Sequence, residues 1–149
     1  MPMPRTPEIV ILTGAGVSAE SGLGTFRDTG GIWTRVPLDK VATMDAYIAD
    51  PAFVLGFYNA RRTGCVAASP NAAHVALARL QAARPGEVLI VTQNVDDLHE
   101  RGGSPADGLI HMHGELRGAL CAGCDARWRQ DGDMHVTDEC PECRSCCVR

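Results

Sequence analysis

The chain has 149 residues, of which 45% are hydrophobic, 21% charged and only 5% aromatic, the composition of an ordinary single globular domain rather than a disordered segment. A formal net charge of −4 counts against nucleic acid as a partner, because proteins that neutralise phosphates carry a basic excess. No stretch reaches the roughly 20 apolar residues of a membrane span and no signal-peptide run opens the chain, so the expectation is a cytoplasmic protein with neither nucleic acid nor membrane as partner.

The first element is an apolar run, Ile9 to Leu12, that turns at Gly14-Ala15-Gly16 into a helix start. Strand, glycine turn and helix in that order bring backbone N–H groups and the positive end of a helix dipole up to an anionic ligand. Gly14-x-Gly16-x-x-Ala19 fits the looser dinucleotide fingerprint, so the first expectation is a nucleotide site. Ser18 and Ser21 are candidate caps, and Gly22 and Gly24 predict a short helix. Phe26, Arg27 and Asp28 follow in a loop kept mobile by Gly30 and Gly31, a composition suited to a lid.

An ordinary dinucleotide-binding domain continues with a second strand whose acidic end holds the ribose about 20 residues on. Here 36–86 reads helical instead: MDAYIADPAFVLGFYNARR, interrupted at Pro51, a break over Gly64 to Pro70, then NAAHVALARLQAAR, with Ala73, Leu77 and Leu80 on one face and Pro85-Gly86 closing it. Tyr58 and Arg61, spaced i, i+3, share a helix face. They make either a carboxylate receptor of phenol and guanidinium or a packed tyrosine beside a solvated arginine.

A second strand, Glu87 to Thr92, runs directly into QNVDDLHERGG, read as a helix, so that Gln93, Asn94 and Asp96 lie beyond its carboxyl end. Ligands bind at that edge of open α/β sheets. A third strand, Leu109 to Met112, delivers His113-Gly114 to the same edge. His74, His99 and His135 read as surface or hydrogen-bonded core side chains. His113 reads as a candidate general base, with His111 on the same strand face as its competitor.

Seven cysteines without a signal peptide favour metal over disulfides. Cys65 stands alone, whereas Cys121-x2-Cys124 and Cys140-x2-Cys143, separated by fifteen residues, have the spacing of a four-thiolate zinc ribbon. Four thiolates leave no open coordination position, so the zinc is expected to be structural. Cys146 or Cys147 competes with Cys143 as the fourth ligand.

Together, GAGVSAESGLGTFRD (14–28), FYNARR (57–62), TQNVDDLH (92–99), HMHGEL (111–116) and the paired cysteines resemble the sirtuins, NAD-dependent protein deacylases, and specifically their bacterial branch that removes succinyl and malonyl as well as acetyl groups. The resemblance implies that Gly14, Ala15, Gly16 and Ser18 hold NAD, that Phe26 and Arg27 close over it, and that Gln93, Asn94 and Asp96 line the nicotinamide and its ribose. It makes His113, rather than His111, the catalytic base, and puts Ala42, Tyr58 and Arg61 in the acyl-lysine pocket. NAD enters as co-substrate, acylated lysines of proteins are the partners, and the acyl group leaves on ADP-ribose with release of nicotinamide.

The implied fold is α/β: a partial Rossmann-like parallel sheet (1–35 and 87–116), a helical insertion (36–86) and a zinc module with four cysteine ligands (117–149). Gly24 departs from the proline usual in the family. The family's sheet continues beyond the zinc module, and the tail CRSCCVR does not resemble that continuation. The expectation is a truncated or frame-shifted version, with an exposed apolar face, poor stability and weak or no activity. Two alternatives stand beside it: a non-catalytic zinc-ribbon interaction module on a degenerate nucleotide fold, and a conventional NAD dehydrogenase, which the missing acidic strand end disfavours.

Overall fold

The structure, a computed structural model, describes residues 6–24 and 36–145. Phe26 and Arg27, Cys146 and Cys147 lie outside the described residues. The chain divides into two compact units, Met1–Thr25 with Ala68–Glu115 and Phe26–Ala67 with Leu116–Arg149.

In the first unit the three expected strands form, all parallel, in the order β1 (Ile9–Thr13), β2 (Val88–Thr92), β3 (Leu109–His111). β1 pairs with β2 from Ile9↔Val88 to Thr13↔Thr92, and β2 with β3 from Ile90↔Leu109 to Thr92↔His111. All three strands therefore end at one edge. Because strand side chains alternate, this register sorts the residues into two faces. Val88, Ile90 and Thr92 are buried on one, under helix α4 (Ala72–Ala83), whose Gln81 amide donates to the carbonyls of Val88 and Gly108. On the other face Val10 is 60% exposed, Leu12 63% and Ile110 48%, with Met112 beyond the strand at 53%. Parallel sheets are normally covered on both faces, so the expected bare apolar face is present.

Helix α1 (Ala15–Ser18) is short, as its glycines predict. Ser18 and Ser21 do not cap it: no side-chain cap bond forms at Ser18, and the Ser21 hydroxyl instead accepts from Asn71. Asn71 caps α4 by accepting from the Ala73 N–H, while His74 accepts from the Asn71 N–H in return. The inward face of α4 is His74, Ala78 and Gln81, not Ala73, Leu77 and Leu80. Those four-and-three spacings are equally helical, and only the polar partners under the helix select between them. The helix read into 93–103 shrinks to α5 (Leu98–Arg101). Local side-chain bonds compete with helix in its first half: Thr92 Oγ1 accepts from the Asn94 N–H, and Asp96 Oδ1 from the Leu98 N–H.

The second unit contains α2 (Met44–Ala49), α3 (Pro51–Ala67) and an antiparallel hairpin, β4 (Gly118–Leu120) with β5 (Arg127–Arg129). Pro51 opens α3, the position where its missing N–H costs nothing, so the predicted interruption is a true boundary. The break expected over Gly64 to Pro70 begins only after Ala67, where α3 ends. One glycine costs only about 1 kcal/mol in a helix this long. Leu55 of α3 packs with Ala119, Cys121, Met134 and Cys140, flanked by Tyr47, Ala126 and Trp128. Among the described residues no helix is long and apolar enough to cross a membrane.

Candidate functional site

At the carboxyl edge of the first unit, the glycine turn and the exit from β2 are joined by a buried network centred on Ser18. Its hydroxyl donates to Asp96 Oδ2 (3.0 Å) and accepts from Asn94 Nδ2 (3.0 Å), with His74 Nε2 at 3.5 Å. Asn94 Nδ2 also donates to the Gly14 carbonyl (3.1 Å). Both amide hydrogens are thereby committed, and Asn94 Oδ1 is a buried acceptor without a partner among the described residues. Buried polar atoms are rarely left so, and an oxygen beside a glycine turn is suited to a donor on a ligand. A Cβ at Gly16 would meet nothing within 4 Å, whereas one at Gly14 would touch Gln93 Oε1 at 3.4 Å. The turn is thus closely backed by Gln93 at its first glycine and open at its second, the cradle an anionic group needs.

Two further histidines support this network from beneath. His99 Nε2 lies 3.0 Å from Thr13 Oγ1, and its ring meets that of His74 edge-on at 4.9 Å. Both are fully buried, which matches the core reading of each. Burial lowers the pKa of both, opposed at His74 by Asp96 and reinforced at His99 by His74. His135, in the second unit, is exposed.

The competing histidines separate clearly. His111 Nδ1 is 2.9 Å from the Asn94 carbonyl and Nε2 2.8 Å from Glu100 Oε1, with a side chain only 8% exposed. Burial alone would lower its pKa, but the bonds to Glu100 and Asn94 outweigh it and raise the value to about 9. His113 lies past the strand in an exposed turn, closed by Gly114 at φ 77°, a left-handed conformation that glycine adopts without strain. Its Nδ1 is 3.1 Å from the Gln93 carbonyl. A carbonyl only accepts, so Nδ1 carries the hydrogen and a neutral His113 presents Nε2 as a free base.

In the second unit, Tyr58 and Arg61 meet on α3: the guanidinium carbon is 5.8 Å from the Tyr58 ring centroid and 5.7 Å from that of Phe57. The guanidinium thus lies over the phenol ring, and both side chains are half-buried. Ala42 sits in the exposed turn before α2. The neighbouring Arg62, unremarked in the sequence, is buried and donates to the carbonyls of Leu116 and Gly132 and to Asn59 Oδ1. Asn59 in turn exchanges two bonds with the Met134 backbone. An asparagine and an arginine i, i+3 on a helix carry no signature of that task, and Glu100 and Asn71 were illegible for the same reason.

The four expected thiols converge. The sulfurs of Cys121, Cys124, Cys140 and Cys143 all lie within 4.8 Å of one another, with Cys121–Cys143 at 3.6 Å and Cys124–Cys140 at 3.7 Å. A tetrahedron of sulfurs with Zn–S bonds of about 2.3 Å has edges of about 3.8 Å. The Gly123 and Glu142 N–H groups donate to the sulfurs of Cys121 and Cys140. The donor set and spacing fit a structural zinc ion.

Comparison with known proteins is consistent with this geometry. The Sir2 family model matches residues 14–149. An NAD-dependent protein deacylase of Caulobacter vibrioides is 51% identical over 139 residues, covering 91% of this chain and 58% of its own length. The complex of a Sir2 homologue variant with ADP-ribose superposes with a TM-score of 0.83 at 38% identity, over 95% of this chain and 57% of that one. A Sir2 homologue complexed with NAD gives 0.80 at 39%, over 95% and 55%. The chain thus spans well under two thirds of the length of the proteins it matches.

Proposed function

Because this chain belongs to the Sir2 family, we propose that it supplies the NAD-binding turn, the catalytic base, the acyl-selecting helix and the zinc module of an NAD-dependent protein-lysine deacylase, cytoplasmic and active on succinyl or malonyl as well as acetyl groups. The observation that carries the reading is the tautomer lock on His113: the Gln93 carbonyl holds the Nδ1 hydrogen and leaves Nε2 exposed on the sheet edge where Asn94 and Asp96 are held. Such a nitrogen takes a proton from a sugar hydroxyl, the step that lets an acyl group migrate onto the ribose. Gly14, Ala15, Gly16 and Ser18 form the turn for the NAD pyrophosphate. Gln93, Asn94 and Asp96 serve its nicotinamide end, and by resemblance Phe26 and Arg27 close over it. Tyr58 and Arg61 receive a terminal carboxylate, and Ala42 leaves room for the acyl chain. Zinc, held by Cys121, Cys124, Cys140 and Cys143, supplies no chemistry and fixes the hairpin.

The test is a chimera in which this chain replaces the matching segment of the Caulobacter vibrioides deacylase. NAD-dependent conversion of succinyl-lysine and acetyl-lysine peptides to free lysine and O-acyl-ADP-ribose is expected, followed by mass spectrometry. A folded chimera that turns over neither peptide overturns the proposal.

A further inference from the structure

We propose that His111 is a positioning residue: an imidazole carried on β3, anchored by Glu100 of α5, that pins the Asn94 carbonyl and so sets the aim of the Asn94 amide at the glycine turn. The inference rests on the nucleotide-site reading above for its purpose, but its geometry stands alone.

The Asn94 carbonyl can only accept, so the His111 Nδ1 at 2.9 Å must donate. An ionised carboxylate can likewise only accept, so Nε2, 2.8 Å from Glu100 Oε1, donates as well. Both bonds exist together only while the ring holds two hydrogens. A neutral ring surrenders one of them. Four groups are thereby fixed on one residue of the loop: the Asn94 N–H by Thr92 Oγ1, its carbonyl by His111, and its two amide hydrogens by Gly14 and Ser18. Of these only the carbonyl bond is made by a titratable ring, and the doubly protonated ring is the one state that keeps it together with the bond to Glu100. The ring itself is sealed at 8% exposure and offers no nitrogen to a substrate, so its work is done through Asn94. The division of labour between the two histidines follows: adjacent carbonyls of one loop are held by a charged, buried ring at Asn94 and by an exposed ring at Gln93. The raised pKa of His111 is consistent with this, and the groups that act on it are Glu100 and His99 of α5 and Glu115 beyond the turn.

The experiment compares the 149-residue chain with Glu100→Gln and His111→Gln. With ¹⁵N-labelled histidine and asparagine, wild type is expected to show both His111 ring nitrogens protonated at about pH 7 and titrating near 9, with slowly exchanging Asn94 side-chain amide hydrogens. In Glu100→Gln the titration should fall by more than about one unit and Asn94 amide exchange accelerate roughly tenfold or more. In the chimera the same variant should raise KM for NAD about tenfold with a smaller change in kcat, and wild type should reproduce that rise above about pH 9. A singly protonated His111 at neutral pH overturns the proposal, as does unchanged Asn94 exchange in Glu100→Gln. The wild-type titration decides the matter by itself if the variants do not fold. A chain that shows the clamp yet binds no NAD removes the nucleotide reading and leaves the clamp standing.

Discussion

His111 and His113, two residues apart, hydrogen-bond to the consecutive carbonyls of Asn94 and Gln93, at 2.9 and 3.1 Å. The same ring in the same local sequence is a sealed support at one position and an exposed base at the other. The difference arises where β3 stops: His111 is still in register with Thr92, whereas His113 is carried outward by the turn at Gly114.

The two positions should therefore fail differently. In the chimera, His113→Ala is expected to lower kcat roughly a hundredfold or more, the range of a lost general base, and to leave thermal stability within about 0.5 kcal/mol, since the side chain is exposed. A loss of melting temperature matching the loss of activity would point to a structural role instead.

The pH dependence of stability follows from the buried rings. His111, raised from 6.5 to about 9, binds its proton more tightly in the folded state. Its contribution is fully present below pH 6.5 and lost as pH rises through 9, with a ceiling of about 3 kcal/mol. His74 and His99 are shifted down from 6.5 by burial, so their contribution is present above pH 6.5 and lost as pH falls below it. Urea titrations across roughly pH 5 to 10 should give a maximum near neutrality, and Glu100→Gln should flatten only the alkaline limb. An unchanged alkaline limb would contradict the ion pair.

Acyl preference rests on α3. Arg61→Met should cut desuccinylation roughly ten- to a hundredfold, the worth of a charge-assisted bond, while leaving deacetylation within a factor of about three. Tyr58→Phe should do the same more weakly. Equal loss of both activities would remove the carboxylate-receptor assignment.

Cys121 and Cys140 are fully buried in the core that also holds Leu55, Ala119 and Met134, so metal removal should be a folding event in the second unit. One zinc per chain is expected by atomic absorption. A strong chelator should abolish the near-ultraviolet circular dichroism of Trp128, which flanks that core. A Cys143→Ser chain that keeps full zinc occupancy would transfer the fourth ligand to another thiol.

The bare face of the first unit should be measurable as well. Val10, Leu12, Ile110 and Met112 leave four apolar side chains half in water, each forgoing roughly half of the 1.5 to 3 kcal/mol of full burial. Strong binding of a hydrophobic dye and self-association at micromolar concentration are expected. Leu12→Thr with Ile110→Thr should relieve both, at little cost to stability. No dye binding would mean that the face is covered in solution.

What the sequence determined by itself was a set of features written in short apolar runs or fixed spacing. Three apolar runs with polar exits give three strands, Pro51 marks a helix boundary, and two Cys-x2-Cys knuckles give four thiols that converge as a zinc ion needs. Each depends on a handful of neighbouring residues, so no knowledge of the rest of the chain is needed. Tertiary structure decided which face of α4 turns inward, that α3 runs through Gly64, that 93–97 stays out of the helix, and that Ser18 ties Asn94 to Asp96 instead of capping a helix. It also decided that Arg62, beside the legible Arg61, is the buried one, and that Glu100 charges His111. These are matters of which polar group finds a partner across tens of residues of sequence, or around the turn from a helix to a strand. A hydrogen bond of that kind leaves no period in the sequence; only the folded chain brings its two ends together.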